Sequence, residues 1–182
     1  MAPFKLRQAV QFLRQGGILA YPTEAVYGLG CEPLNEQAVL KILELKRRPI
    51  EKGLILIASS LAQIEPYLLI DKTILDRITP TWPGPVTWLI PAKSWVPDWL
   101  TGKHKTLAVR VTAHPVAKVL CAEYGGPIVS TSANPAAKPP ATSAFKVIQY
   151  FSTSNVAIIN GATSQLEQTT SIFNASDGHR LR

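Results

Sequence analysis

The sequence contains few of the residues that build disulfide or metal frameworks. Its 182 residues include two cysteines, Cys31 and Cys121, and three histidines. The cysteines lie far apart and form no Cys-x-x-Cys pair, so we expect neither a disulfide framework nor a zinc site. Two reduced thiols, as in a cytoplasmic protein, are the favoured interpretation. The isolated histidines, His104, His114 and His179, are interpreted as ordinary residues rather than as ligands or bases.

Long apolar runs and acidic side chains are also scarce. No stretch approaches membrane-spanning length without a charge or a proline, and the first residues lack the apolar run of a secretory signal. We therefore expect a cytoplasmic protein with no membrane partner. The 19 Lys and Arg residues outnumber the 12 Asp and Glu residues, which gives a net charge of +7 and a pI near 9.6. This charge predicts an anionic partner such as a nucleotide, pyrophosphate or RNA.

The order of helical patterns and short apolar runs predicts one α/β (α+β) domain over residues 1–182. The length and the 46% hydrophobic content suffice for a single core. Apolar residues at helical spacing predict helices over 4–13 and 38–45, with Asn35 as the N-cap of the second and Pro115 as the first residue of another. The apolar runs between them predict the strands of a mixed sheet.

A cluster of positive charge ends the second predicted helix. Lys46, Arg47 and Arg48 precede Pro49, and Lys52 follows closely. Residues two apart on a helix diverge, but a proline biases the preceding residue away from helical geometry, so Lys46 and Arg48 can converge on one ligand. Guanidinium and ammonium groups suit phosphate oxygens. The alternative is a helix end whose cations oppose the helix dipole, and the cluster alone does not exclude it.

A polar segment, 130–134, follows a short apolar run. It reads Ser-Thr-Ser-Ala-Asn and places Ser130, Ser132 and Asn134 where a strand should end, which is the edge at which open α/β sheets bind ligands. Hydroxyl and amide groups can bond to phosphate, carboxylate or amine. A plain turn is an equal alternative because these residue types are common in turns. The proline-rich residues 135–140 predict a mobile loop beside the active site.

The glycine-bearing segment 22–31 is predicted to be a loop whose backbone can approach a ligand. It matches neither a P-loop nor a dinucleotide fingerprint. Glu24 is the one carboxylate among the candidate site residues, and the sequence offers no paired carboxylates or His/Asp/Glu metal cluster. A serine hydrolase is disfavoured, because the formal Ser-x-x-Lys match at Ser143 follows Ser132-x-Asn134 instead of preceding it, and Lys-Thr-Gly is lacking.

Four segments stand in the order that is typical of one family. They are Pro-Thr-Glu-Ala-Val-Tyr-Gly-Leu-Gly at 22–30, Leu-Lys-Arg-Arg-Pro at 45–49 with Lys52, Leu-Ala-Val-Arg-Val at 107–111 and Ser-Thr-Ser-Ala-Asn at 130–134. Together they resemble the YrdC/TsaC family of threonylcarbamoyl-AMP synthases, of the short single-domain bacterial type, over residues 4–174. The resemblance implies a single YrdC-like domain with a twisted mixed sheet, flanking helices and a concave basic face.

The resemblance also implies an activity. L-Threonine, bicarbonate or CO2, and ATP would be joined into threonylcarbamoyl-AMP and pyrophosphate, for the threonylcarbamoyl modification of an adenosine in tRNA. It further implies Mg2+ that is held largely by ATP, with no metal site of the protein's own. The tRNA threonylcarbamoyl-transfer proteins are candidate partners, and contact with tRNA itself is a second candidate interaction.

The same resemblance assigns roles to individual residues. The family's Lys-x-Arg and Ser-x-Asn tetrad, implied to be catalytic and to bind the nucleotide, falls on Lys46, Arg48, Ser132 and Asn134. Further nucleotide-binding positions fall on Lys52, Arg110, Ser130 and Thr170. The positions at which the family contacts threonine fall on Thr23 and Tyr27. Thr170 stands where the family has a serine, and Gly53 stands where a proline is frequent.

Two other functions remain alternatives at this point. One is an RNA-binding or ribosome-maturation factor that uses the basic face without catalysis. The other is a carbamoyl-transferring domain as in hydrogenase-maturation proteins of the HypF type, which ranks low because those chains are long and multidomain. The tryptophans favour packing in the core and at loop edges over stacking on RNA bases; they are Trp82, Trp88, Trp95 and Trp99.

Overall fold

The computed structural model describes residues 3–164 and 170–182, which fold around one eight-stranded mixed sheet. The strands are β1 (Ile18–Pro22), β2 (Tyr27–Gly30), β3 (Ile55–Ala58), β4 (Val86–Pro91), β5 (Thr106–Val111), β6 (Ile128–Ser132), β7 (Val156–Ile158) and β8 (Ser171–Asn174). Their order across the sheet is β7-β1-β2-β6-β3-β5-β4-β8. The fold is therefore of the predicted mixed α/β class.

Helices flank the sheet on both faces. They are α1 (Pro3–Arg14), α2 (Glu36–Lys46), α3 (Leu61–Ile64), α4 (Lys72–Ile78), α5 (Asp98–Thr101), α6 (Pro115–Tyr124) and α7 (Ala144–Phe151). Short 3-10 turns occupy Ile50–Lys52, Glu65–Tyr67 and Thr79–Thr81. Within residues 3–164 and 170–182, no helix is long and apolar enough to cross a bilayer.

Local signals in the sequence explain where several helices begin. Asn35 Oδ1 accepts from the Ala38 amide at 3.0 Å, which confirms the predicted cap of α2. Pro115 is the first residue of α6, as predicted. Ser143 caps α7 by accepting from the Lys146 amide at 3.2 Å, so the formal Ser-x-x-Lys match is a helix cap.

The prediction of a continuous loop over 22–31 was wrong. Residues 27–30 form β2, which pairs antiparallel with both β1 and β6. Glycine is needed in this strand because neighbouring backbone comes too close for a side chain. A Cβ at Gly30 would collide with the Val129 carbonyl oxygen. The true loop is the short connection between Pro22 and Tyr27.

The two faces of the sheet are covered unequally. Helices α2, α3, α4, α5 and α7 pack on the first face and form the larger core cluster. On the second face, α1 and α6 are the helices of the described residues that contribute, and their apolar residues pack against Leu19, Tyr21, Ile57 and Ile128 of the sheet. The remainder of the second face is left open. Both cysteines are buried free thiols, as predicted.

Candidate active site

A cavity of about 350 Å³ occupies the open part of the second sheet face. Its floor comes from β2, β3, β5 and β6, where alternation along the strands points every second side chain to this face. The register pairs Ile55 with both Ala108 and Ser130, and Gly28 with Ser132. Glycine, alanine and serine leave the space that larger side chains would fill.

Most of the residues predicted for the site come together at this cavity. Eight of them line it: Thr23, Tyr27, Arg48, Lys52, Arg110, Ser130, Ser132 and Thr170. Lys46 and Asn134 do not line it. The structure therefore brings eight of the predicted residues to one cavity, whereas two members of the predicted tetrad lie behind its wall.

Lys46 is turned towards the protein interior. It is 5% exposed, and its Nζ donates to the Ser132 carbonyl oxygen, to Asn134 O at 2.9 Å and to Asn134 Oδ1 at 3.3 Å. Burial, and to a smaller extent the nearby Arg48 charge, together lower the pKa of Lys46 to about 8. The Lys46 amine thus links the end of α2 to the end of β6 and does not line the cavity.

Arg48 reaches the cavity because the helix ends in a left-handed residue. Arg47 has φ 49°, the Arg48 amide donates to Leu43 O and the Arg47 amide donates to Glu44 O, which is a Schellman ending. The Arg48 side chain then donates to Gly53 O from Nε at 3.3 Å and from Nη2 at 3.0 Å. Burial lowers the pKa of Arg48, as does the neighbouring Arg182.

Arg110 is the best-buried cation at the cavity, with 4% exposure. Its Nη2 forms an ion pair with Glu24 Oε2 at 3.3 Å, and its Nη1 donates to Thr170 Oγ1 at 3.0 Å. Burial alone would raise the pKa of Glu24, but Arg110 and the hydrogen bonds from Thr112 and the Ala113 amide lower it on balance. Glu24 is therefore an anion at neutral pH, and it does not itself line the cavity.

Thr23 and Tyr27 line the other side of the cavity with hydroxyls that already have partners. Thr23 Oγ1 donates to Val26 O at 2.6 Å. Tyr27 Oη donates to Gly161 O at 2.6 Å and accepts from the Gly161 amide at 3.1 Å. Tyr27 thus ties β2 to the segment after β7, and contact of these two residues with threonine stays a prediction.

Arg182 is a cavity residue that the sequence did not indicate. The Ile172 amide donates to Arg182 O at 3.2 Å, and Arg182 Nη2 donates to Thr170 O at 3.0 Å, so the residue folds back beside β8. Burial lowers the pKa of Arg182, and so does Arg110. Arg48, Arg110 and Arg182 therefore line one cavity, and no Asp or Glu of the described ranges lines it. Such a site suits a polyanion.

Comparison with known proteins identifies the relatives of this architecture. The family model for Sua5, YciO and YrdC, described as "Telomere recombination", matches residues 11–182. The chain belongs to the Sua5/YciO/YrdC family. Two curated relatives, both named threonylcarbamoyl-AMP synthase, come from Halorhodospira halophila and Cellvibrio japonicus. They are 50% and 48% identical over 99% and 98% of this chain and 95% of their own lengths.

Solved structures of the Sua5/YciO/YrdC family have the same fold. Sua5 of P. abyssi, crystallised with L-threonine, superposes with a TM-score of 0.90 at 35% identity over 97% of this chain. This chain spans 52% of that protein. YciO of E. coli gives a TM-score of 0.82 at 26% identity, with 93% of this chain and 82% of that one covered. HypF of T. kodakarensis, at 18% identity and a TM-score of 0.81, shows the shared fold alone; this chain covers 23% of it.

The predicted loop 135–140 lies outside the cavity, whereas His104 lines it. The loop 135–140 is held by Asn134 Nδ2, which donates to Pro135 O and Lys138 O, and by Tyr150 Oη, which donates to Pro139 O. None of its residues lines the cavity, and its mobility stays a prediction. His104, interpreted as ordinary, does line the cavity and is exposed.

The tryptophans pack largely as predicted. Trp88 is buried, and Trp82 and Trp99 pack against the larger core cluster. Trp95 differs, because it is 50% exposed and its ring lies 4.9 Å from that of Tyr67.

Proposed function

We propose that this chain is a threonylcarbamoyl-AMP synthase, which joins L-threonine, bicarbonate or CO2, and ATP into threonylcarbamoyl-AMP and pyrophosphate. The observation that carries the proposal is a cavity that is lined by three arginines and has serines on its floor. It lies in a chain about half identical, over nearly its whole length, to relatives that bear this name. These relatives do not favour the alternative of an RNA-binding factor without catalysis.

The proposed chemistry needs charge neutralisation and alignment more than it needs a strong base. The neutral threonine amine attacks CO2 and releases one proton to solvent, which gives a carbamate. A carbamate oxygen then attacks the α-phosphorus of ATP, and pyrophosphate leaves with the bonding electrons. Negative charge accumulates on the phosphate oxygens in this step, so fixed guanidinium groups aimed at them lower the barrier. Arg48, Arg110 and Lys52 line the cavity and supply such charge.

The proposal divides the predicted tetrad into two kinds of residue. Arg48 and Ser132 face the cavity, so we assign them direct contact with the nucleotide. Lys46 and Asn134 hold the end of β6 from behind, so we assign them the shaping of that wall. Ser130 and Thr170 complete the nucleotide side, and Thr23 and Tyr27 the threonine side. The P. abyssi relative with bound L-threonine supports the choice of amino acid.

Mg2+ is proposed to enter on the phosphates of ATP. Among residues 3–164 and 170–182, no three His, Cys, Asp or Glu side chains cluster closely enough to hold a metal. The Glu24 carboxylate is paired with Arg110, and cations line the cavity, so we propose that the protein binds the phosphates and that ATP carries the metal. When bound, Mg2+ would neutralise part of the triphosphate charge.

We further propose that the product serves the threonylcarbamoyl modification of tRNA in the cytoplasm. A mixed carbamic-phosphoric anhydride is an activated acyl donor, so an acceptor enzyme must consume it. The tRNA threonylcarbamoyl-transfer proteins are the proposed recipients. The net charge of +7 is compatible with direct contact with tRNA.

The test is pyrophosphate release by the purified protein in the presence of ATP, Mg2+ and bicarbonate, with and without L-threonine. The account expects release only with threonine, together with a mass-spectrometric product of threonylcarbamoyl-AMP. Arg48→Ala and Ser132→Ala should each abolish most of the release while the protein stays folded. Arg47→Ala is the matched control, because Arg47 is the adjacent arginine but is exposed and lies outside the cavity. Threonine-independent release, or none under any condition, would contradict the function.

A further inference from the structure

Glu24 is a buried charge that the proposed chemistry leaves without a role. It lies in the connection between β1 and β2, is 3% exposed and does not line the cavity. Burying a charged group costs folding free energy unless the charge is paired. The presence of a carboxylate at position 24 therefore needs an explanation beyond packing. Since Glu24 does not line the cavity, any role of its charge in the reaction would run through a neighbour that does.

That neighbour is Arg110. The Arg110 guanidinium is held at two points: Glu24 Oε2 lies 3.3 Å from Nη2, and Thr170 Oγ1 accepts from Nη1 at 3.0 Å. The two anchors come from chain segments almost 150 residues apart, one before β2 and one before β8. One terminal nitrogen has an ion-pair partner and the other a hydrogen-bond partner, so rotation of the guanidinium plane is restricted. Arg110 Nε is buried and has no hydrogen-bond partner in the described structure.

Glu24 is itself fixed by the turn that follows β5. Thr112 Oγ1 donates to Glu24 Oε1 at 2.6 Å, and the Ala113 amide donates to the same oxygen at 3.2 Å. One carboxylate oxygen is therefore committed to the turn, and the other faces Arg110. Arg110 and Thr112 are two residues apart on the same chain segment. The Glu24 carboxylate therefore links the Arg110 guanidinium to the turn that follows the strand carrying Arg110.

We propose that Glu24 is a positioning residue, which touches no substrate and orients the Arg110 guanidinium towards the anion bound in the cavity. The inference rests on the proposed function. It implies that removing the Glu24 charge, while keeping its shape, leaves Arg110 in place but mobile. A misplacement of about 1 Å can cost roughly a hundredfold in rate.

The first measurement is spectroscopic and needs no activity. In wild-type protein the Arg110 Nη resonances, assigned by their loss in Arg110→Lys, should be resolved because rotation about the guanidinium is restricted. In Glu24→Gln they should merge into one averaged signal. Averaged signals already in the wild type would overturn the proposal. So would resolved signals in a folded Glu24→Gln protein.

The second measurement is a double-mutant cycle on threonine-dependent pyrophosphate release. Glu24→Gln should lower kcat/KM by about 100-fold in the wild type but by no more than about threefold in the Arg110→Ala background. Equal losses in both backgrounds would show a purely structural role and overturn the proposal. Glu44→Gln is the matched control, because Glu44 is exposed on α2 and outside the cavity.

Failure of the proposed function and failure of this inference give different results. A wild-type protein that releases no pyrophosphate contradicts the function, while the resonances still decide the anchoring of Arg110. If Glu24→Gln does not fold, Glu24→Asp replaces it, since the charge is kept and only the reach is shortened. Unchanged resonances and unchanged release in Glu24→Asp would then overturn the proposal.

Discussion

The covered and open ends of the second sheet face are built from the same sheet but from different side chains. At the covered end Tyr21, Ile57 and Ile128 pack against α1 and α6. At the open end the corresponding positions carry Ala108 and Ser130, which line the cavity. Within β6, Ile128 and Ser130 are neighbours on this face because side chains two residues apart point the same way. The face therefore changes from apolar to polar between these two residues.

The two ends also differ in charge. The covered end is an apolar contact between helices and sheet. The open end is surrounded by Arg48, Arg110 and Arg182, and one buried carboxylate, Glu24, partly offsets them. The difference separates two tasks: the covered end supplies folding free energy through burial, and the open end forgoes that burial to keep space and charge for a ligand.

Filling the open end should have the largest effect on function. Ala108→Leu adds bulk to the cavity floor between Ile55 and Leu89. We expect kcat/KM for threonine-dependent pyrophosphate release to fall at least about 1,000-fold, since the substrates can no longer align. The melting temperature should change little. Val119→Leu, at an exposed position of α6, is the control. A fully active Ala108→Leu protein would contradict the placement of the site.

Emptying the covered end should affect stability instead. Ile128 is fully buried, so Ile128→Ala should lower the free energy of unfolding by about 4 kcal/mol through lost burial and a residual cavity. Urea unfolding measures this value. Turnover per folded molecule should stay within about twofold. Ile148→Ala, at an exposed position of α7, should cost under about 0.5 kcal/mol. A stable Ile128→Ala protein would show that this end is not the stabilising one.

Lys46 lies behind the open end, and its effect should depend on pH. Its pKa falls from 10.5 to about 8 on folding. The unfolded chain therefore binds more protons than the folded one between these values, so the stability contribution of Lys46 should rise as pH increases from about 8 to about 10.5. Relative to Lys46→Met, the wild type should gain at most about 3 kcal/mol over this range. Parallel stability curves for the two proteins would refute the shift.

Arg47 offers the smallest expected effect. It holds a left-handed backbone conformation at φ 49°, which glycine adopts without a steric penalty. Arg47→Gly should raise the free energy of unfolding by about 1 kcal/mol and leave turnover unchanged. Arg47→Ala should bring no such gain, because alanine keeps the Cβ that causes the strain. Equal stabilities of the two variants would mean that the helix ending is not strained.

The sequence predicted those elements and site residues whose signals are local. Asn35 and Pro115 mark helix starts by their own chemistry, and both were confirmed. The strand at 27–30 was missed because its glycines favour loops locally, whereas pairing with β1 and β6 makes it a strand.

Within the site, the motifs identified Arg48 and Ser132 but could not give the direction of Lys46. That direction depends on acceptors at the end of β6, more than 80 residues away in the chain. Arg182 carried no pattern at all. It reaches the cavity only because the backbone folds back against Ile172.

The central claim is that the open end of the second sheet face is where the adenylate forms. A crystal structure with L-threonine and a non-hydrolysable ATP analogue tests it most directly. We expect the ligands over Ala108 and Ser130, with phosphate oxygens about 3 Å from the Arg48 guanidinium and the Ser132 hydroxyl. Ligand density elsewhere, with the floor around Ala108 empty, would contradict the account.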